Sequence, residues 1–123
     1  MSFAASDAVG FVLHSAINGL SQRQQVIADN IANVDTPGFR ARSVEFESAL
    51  ERAIEHGSAT TSGPGSVGVT VDATQTPVGA NDNNVDLRKE SIAAIQTQYQ
   101  YQIMGRAISD RSSRLSVMGG GPA

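Results

Sequence analysis

The sequence predicts an all-α fold in which two long antiparallel helices, one from each end of the chain, form a coiled coil. Two apolar patterns with helical spacing carry this prediction, one in residues 9–34 and one in residues 86–117. The segment between them predicts a short helix and an irregular or β-containing excursion. We expect residues 1–35 to form the N-terminal helix, residues 36–85 the turn, short helix and excursion, and residues 86–123 the C-terminal helix and tail.

The composition bounds both the core and the partners. A chain of 123 residues with 40% hydrophobic residues, 5% aromatic residues and no tryptophan has little material for a large core. No cysteine is present to form disulfides or thiolate metal sites. The net charge of -3 has the wrong sign for a nucleic-acid partner. The sequence has no apolar run long enough to predict a membrane span. Its first twenty residues have no basic region and no unbroken apolar run that would predict a cleaved signal peptide.

The N-terminal helix carries an apolar seam whose members follow one another at intervals of four and three residues, with Gln24 as its polar interruption. This spacing is typical of a coiled coil. The seam consists of Leu13, Ile17, Leu20, Ile27, Ile31 and Val34. Most of the polar positions carry amides or hydroxyls, which a neighbouring chain covers at a lower desolvation cost than charges. The polar face is therefore either an assembly surface or a weakly charged solvent face.

A strong stop follows this helix at Thr36, Pro37, Gly38 and Phe39. Proline cannot continue a helix, and Pro-Gly at the two central positions favours a type II turn.

The middle segment begins with a short amphipathic helix. Its apolar side is formed by Phe46, Ala49, Leu50, Ala53 and Ile54, and Gly57 ends it. Residues 57–84 are rich in Gly, Ser, Thr and Pro and cannot bury enough surface to order themselves. Val67, Val69 and Val71 alternate, which predicts a strand where another surface supplies a sheet edge. This segment is either a region that folds on assembly or a flexible linker.

The C-terminal helix is expected to begin at the capping residue Asp86 and to carry two apolar stripes displaced around its axis. The first stripe is Ile92, Ile95, Tyr99 and Ile103. The second stripe is Tyr101, Met104, Ile108, Leu115 and Met118. Two stripes imply more than one packing partner, whereas a single drifting stripe against the N-terminal helix is the alternative. We expect the N-terminal seam to pack against one stripe, and the other stripe and the amide-rich faces to contact adjacent subunits.

No residue pattern in the chain indicates an enzyme, a cofactor or a metal site. The two histidines, His14 and His56, have no cysteine or spaced carboxylates near them. The loop before the C-terminal helix lacks the glycine and the glutamate of an EF-hand, because Leu87 and Ala93 stand at those positions. The glycine-rich stretch lacks the ending of a phosphate loop. The carboxylates near the turn are expected to be solvated or paired with arginines. They are Asp29, Asp35, Glu45 and Glu47, with Arg40 and Arg42 as partners.

The segment from residue 28 to residue 39 resembles the asparagine-rich signature of bacterial flagellar rod and hook proteins. The matching residues are Ala28, Asn30, Ile31, Ala32, Asn33, Thr36, Pro37, Gly38 and Phe39, with Asp29 standing where the family has its first asparagine. The continuation through residue 46 is most similar to the proximal members of the rod. The start of the C-terminal helix at residues 84–87 and its Gln/Tyr run at residues 98–102 are similar to the C-terminal segment of the same family.

The resemblance implies a non-enzymatic structural subunit, without a cofactor, of the proximal rod in the periplasm. It implies export through the flagellar type III apparatus with no cleaved signal peptide. The partners implied are copies of the same chain, other rod subunits and the rod-base adaptor near the MS ring and the export gate. Such a subunit forms part of the drive shaft that connects this base to the distal rod. Two alternatives are a cytoplasmic helical adaptor of the export system that never polymerises and a flagellar enzyme that cuts the cell wall.

Overall fold

The computed structural model describes residues 3–55 and 68–118, with side-chain burial described for residues 8–55 and 68–116. In chain order the elements are α1 (Phe3–Ala32), β1 (Arg42–Glu45), α2 (Glu47–Glu55), β2 (Thr70–Ala73) and α3 (Leu87–Met118). The two long helices pack against each other. They run antiparallel, because Asn83 beside the start of α3 bonds to Asn33 at the end of α1, whereas Arg111 lies against Gly10. The predicted all-α class with two long terminal helices is confirmed.

The predicted seam of α1 is only partly buried. Leu20 and Ile27 are buried, at 3% and 6% exposure. The remaining members of the seam are half-buried: Leu13, Ile17, Ile31 and Val34. Since α1 ends at Ala32, Val34 lies in the turn after the helix rather than on its last turn. The helix also starts at Phe3, before the first residue of the apolar pattern.

The core sits where α1 meets β1 and the start of α2. Ala16 and Leu20 of α1 form one buried cluster with Val44 and Phe46. Gly19 makes this packing possible, because a Cβ at that position would lie 2.4 Å from two atoms of the Phe46 ring. A glycine that costs helix propensity therefore provides the space in which the buried aromatic side chain lies.

A two-stranded antiparallel sheet connects the middle segment to this core. Val44 of β1 pairs with Val71 of β2. The strand predicted around Val69 and Val71 thus forms at Thr70–Ala73, and Val67 lies outside the described residues. The edge that pairs with β2 is β1 of the same chain. The structure of residues 68–84 therefore differs from the expectation that they become ordered only on assembly. Residues 57–67, including the predicted helix end at Gly57, lie outside the described residues.

Both later helices begin with local caps. The Glu45 carboxylate accepts a hydrogen bond of 2.9 Å from the Ser48 backbone N–H at the start of α2. At the start of α3, the Asp86 carboxylate accepts one of 3.2 Å from the Lys89 backbone N–H. The predicted cap of the C-terminal helix is present, and it satisfies one of the N–H groups that a helix leaves unpaired.

The long helix α3 contributes little to the core. Its buried residues are polar, Glu90 and Thr97, and every buried apolar residue among those described precedes residue 47. The Thr97 hydroxyl bonds to the Ala93 carbonyl of its own helix, at 2.7 Å. Met104 is the residue of α3 that packs, partly buried, against the core cluster. The helix therefore lies on α1 through a mainly small and polar seam.

Candidate functional site

The segment that carries the family signature ends α1 in a type II turn. The Phe39 backbone N–H donates a hydrogen bond of 3.2 Å to the Thr36 carbonyl. Gly38 has a φ of +77°, which this turn type requires at its third position. No atom beyond its chain neighbours lies within 4 Å of where a Cβ of Gly38 would be. The turn predicted from Pro37 and Gly38 is present, and glycine is favoured there by backbone conformation rather than by crowding.

Asn30 joins the end of α1 to β1. Its side chain is completely buried, at 0% exposure. The amide Nδ2 donates to the Arg42 carbonyl at 2.7 Å, and the amide Oδ1 accepts from the Arg42 N–H at 3.1 Å. One asparagine side chain therefore pairs both backbone groups of a strand residue, as a neighbouring strand would.

Asn33 stabilises the last turn of α1 and the entry to the type II turn. Its amide donates to the Asp29 carbonyl at 2.8 Å, and its oxygen accepts from the Thr36 hydroxyl at 3.0 Å. The same carbonyl accepts the Asn33 backbone N–H at 3.1 Å, so the side chain adds a second hydrogen bond to a carbonyl of the last turn.

Two buried asparagines before α3 bind the same region from the other side. The Asn83 amide donates to the Asn33 carbonyl at 2.8 Å and to the Thr36 carbonyl at 2.7 Å. Its oxygen accepts from the Val85 N–H at 2.8 Å. Asn84 accepts at its side-chain oxygen from the Ala41 N–H at 2.6 Å. We name Asn30, Asn83 and Asn84 the asparagine clamp, since their side chains tie the end of α1, β1 and the start of α3 together.

Two ion pairs border the clamp. Arg42 and Asp29 approach to 2.6 Å, and Arg40 and Asp82 to 2.8 Å. Both pairs are largely exposed, so each contributes little to stability. Of the four carboxylates expected to be solvated or paired with Arg40 and Arg42, Asp29 pairs with Arg42. Arg40 pairs instead with Asp82, 42 residues away in the chain.

Arg23 links the core to the start of α2. Its Nη2 donates to the Val44 carbonyl at 2.9 Å and to Glu47 Oε1 at 2.5 Å. The guanidinium also lies 4.9 Å from the centre of the Phe46 ring, a cation–π distance. Burial alone would raise the pKa of Glu47, but the hydrogen bond and the charge of Arg23, with backbone hydrogen bonds, outweigh it. The pKa of Glu47 is therefore lowered from its ordinary value of 4.5.

The two predicted stripes of α3 lie on different sides of the helix. At about 100° per residue the centres of the two stripes are roughly 150° apart around the helix axis. In the second stripe, Met104 and Ile108 are half-buried on the side of the core. Tyr101 and Leu115 of that stripe are 36% and 44% exposed, and the Met118 side chain lies outside the described ones.

The first stripe faces away from α1 and is largely exposed. Ile92 is 51% exposed, Ile95 72%, Tyr99 66% and Ile103 45%. We name these four residues the outer stripe. An exposed apolar row of this length is the surface feature that indicates a protein partner.

Sequence patterns did not single out Asn83, Asn84 or Arg23 as functional. The available signal was the run of four Asn and Asp residues at positions 81–84, which reads as a turn and a cap. The partners that link these side chains to other elements lie 21 to 50 residues away, and no local pattern reveals such pairs.

In the described ranges, no three His, Asp or Glu side chains lie close enough together to bind a metal ion. Of the described helices, none combines the length and the apolar character that crossing a bilayer requires.

Comparison with known proteins finds relatives in one family. Residues 12–40 match the family model described as flagella basal body rod protein. The flagellar basal body rod protein FlgB of Escherichia coli (strain K12) is 34% identical over 113 residues, covering 76% of this chain and 80% of that protein. FlgB of Bacillus subtilis (strain 168) is 30% identical over 118 residues, covering 89% of this chain and 92% of that protein.

A shorter match has a higher identity. FlgB of Borrelia hermsii is 63% identical over 41 residues, which is 33% of this chain and 30% of that protein. The family-model match contains the type II turn and Asn30. The chain therefore belongs to the FlgB family of flagellar basal body rod proteins.

Proposed function

We propose that this protein is a structural subunit of the flagellar basal body rod whose α3 helix packs against neighbouring rod subunits. The observation that carries this proposal is the distribution of apolar side chains. Among the described residues, α3 supplies none of the buried apolar ones and seven of the eleven exposed large ones. They are Leu87, Ile92, Ile95, Tyr99, Tyr101, Ile103 and Leu115.

The size of this surface suits a contact that forms within an assembly. The exposed area of the outer stripe is on the order of 500 Å², comparable with the largest patch on a typical monomer. Its burial would gain roughly 12 kcal/mol at about 25 cal/mol per Å². Association costs about 4–15 kcal/mol in lost translational and rotational freedom. One such contact is therefore marginal alone, and several contacts per subunit hold it in a rod.

The asparagine clamp supports a mechanical role. Completely or nearly completely buried side chains fix the turn, the sheet and the start of α3 relative to α1. A subunit that transmits torque needs such rigid junctions between its helices. The chemistry of the site is hydrogen bonding to backbone groups, and its function is to hold geometry rather than to catalyse a reaction.

We also propose where the subunit lies in the rod and how it is exported. Membership of the family supports a location in the basal body, with other rod components as partners. We place the subunit in the periplasmic proximal rod, in contact with copies of itself and with the rod-base adaptor near the MS ring and the export gate. We further propose export through the type III apparatus with no leader removed.

Fractionation tests the proposal directly. Basal bodies purified from cells that carry the tagged chain are expected to contain it at full mass, and cells lacking it should be non-motile with no complete rod. A chain found only in the cytoplasm, with complete rods in its absence, would contradict the proposal. That result would favour an export adaptor instead.

A further inference from the structure

The charges at the two ends of the outer stripe limit what can cover it. Arg88 and Arg106 are exposed and lie 18 residues apart, which is five helical turns, on the same face as the stripe, and the exposed Asp110 follows Arg106 by one turn on that face. The end at Arg88 is therefore basic, whereas the end at Arg106 carries both charges. If two stripes paired in parallel, Arg88 of one copy would meet Arg88 of the other, and such like charges disfavour the pairing. A surface that places negative charge beside Arg88 fits the outer stripe better.

The outward face of α1 has the complementary properties. Its residues follow at intervals of four and three, the spacing of a helix-packing face, and they are small or uncharged. We name them the outer row: His14, Asn18, Ser21, Gln25, Ala28 and Ala32. Four of them are exposed and two are half-buried. Small side chains let a second helix approach closely, and bulky side chains fill the space that they leave.

The end of the outer row is electronegative. Asp35 follows the row, is exposed, and belongs to none of the ion pairs found among the described residues. The last turn of α1 carries no basic residue, and the C-terminal end of a helix carries partial negative charge. An arginine from one end of an outer stripe is therefore attracted to this position.

We propose that the outer stripe of one copy packs onto the outer row of a second copy, with Arg88 or Arg106 beside Asp35. This inference rests on the proposed function and identifies its contact. Each copy carries both surfaces, so the pairing is heterologous and continues from copy to copy instead of closing as a dimer. The area of the stripe is below the roughly 800 Å² per partner of a standard stable interface. The contact therefore forms in the assembly and not between dilute copies.

Cysteine cross-linking in purified basal bodies tests this contact, since the natural chain contains no cysteine. Cells would co-express Ile95→Cys with either Gln25→Cys or Ala28→Cys. We expect a disulfide-linked pair of two copies for at least one combination. A cross-link to position 25 would show that the two helices run parallel, with Arg106 beside Asp35. A cross-link to position 28 would show that they run antiparallel, with Arg88 beside Asp35. Glu51→Cys, at an exposed position of α2, is the control partner and should not cross-link to position 95.

A charge exchange provides a second readout. Asp35→Arg should reduce incorporation into basal bodies severalfold, and adding Arg88→Asp or Arg106→Asp should restore it. The inference is overturned if the chain is present in basal bodies but position 95 links only to another position 95, to a different protein or to nothing. Absence of the unmodified chain from basal bodies would instead refute the proposed function.

Discussion

Replacing Gly19 with alanine should destabilise the protein although alanine is the better helix former. A Cβ at this position would lie 2.4 Å from Cδ1 and Cγ of Phe46 and 2.7 Å from Cδ2. Carbon atoms in ordinary contact are about 3.5–4.0 Å apart, so the ring would have to move by roughly 1 Å or more. The ring is 4% exposed and has the Arg23 guanidinium over it. It cannot move without disturbing the core.

The magnitude follows from two opposing contributions. Expelling a buried phenylalanine costs about 3–5 kcal/mol, as its truncation does. Replacing glycine by alanine in a helix gains about 1 kcal/mol. The free energy of unfolding should therefore fall by about 2–4 kcal/mol, measured by urea denaturation followed by circular dichroism.

A matched substitution in the other long helix provides the control. Gly105 lies inside α3, and nothing surrounds the position of its Cβ within 4 Å. Gly105→Ala should therefore raise the free energy of unfolding by about 0.5–1 kcal/mol. In a Phe46→Ala background, Gly19→Ala should lose its penalty. If Gly19→Ala stabilises the natural chain as Gly105→Ala does, the packing argument is wrong.

Three further perturbations test the clamp, the turn and the Arg23 contact. Asn83→Ala removes three hydrogen bonds to backbone groups and should lower the free energy of unfolding by about 2–3 kcal/mol. Asn81→Ala, at an exposed neighbouring position, should change it by less than about 0.5 kcal/mol, and equal effects of the two would contradict the clamp. Gly38→Val should cost about 1–2 kcal/mol through backbone strain, because φ is +77° there, and an unchanged urea midpoint would exclude this strain. Because the folded-state pKa of Glu47 lies below its ordinary value of 4.5, its contribution is present above that pH and is lost as the pH falls through the lowered pKa. Acid titration of stability in Glu47→Gln should lack this loss, and an unaltered acid profile would show that the contact with Arg23 is negligible.

The helical part of the fold could be predicted because its signals are local. Apolar spacing located both long helices, Asp86 marked the start of α3, and Pro37 with Gly38 gave the type II turn. Each of these features depends on residues within a few positions of one another. Local rules of backbone conformation and capping are sufficient for them.

The sequence alone did not reveal how the helices are held together. Local propensity marks Gly19 only as a residue that weakens a helix. Its packing role is not visible locally, because its partner Phe46 lies 27 residues further along the chain and only the fold brings them together. Asn83 read as part of a turn, although its amide bonds to carbonyls about 50 residues away. The apolar stripes of α3 could be recognised from the sequence. Which of them faces α1 depends on how the asparagine clamp orients the start of the helix. These relationships arise from tertiary packing, which overrides local preference.

The central claim is that the outer stripe of α3 is exposed in the free chain and covered in the rod. Maleimide labelling of Ile95→Cys measures this directly, because position 95 is 72% exposed and the chain has no other thiol. The thiol should react rapidly in the purified chain and in urea-dissociated basal bodies, and at least tenfold more slowly in intact basal bodies. Equal labelling rates in the free chain and in intact basal bodies would contradict the account.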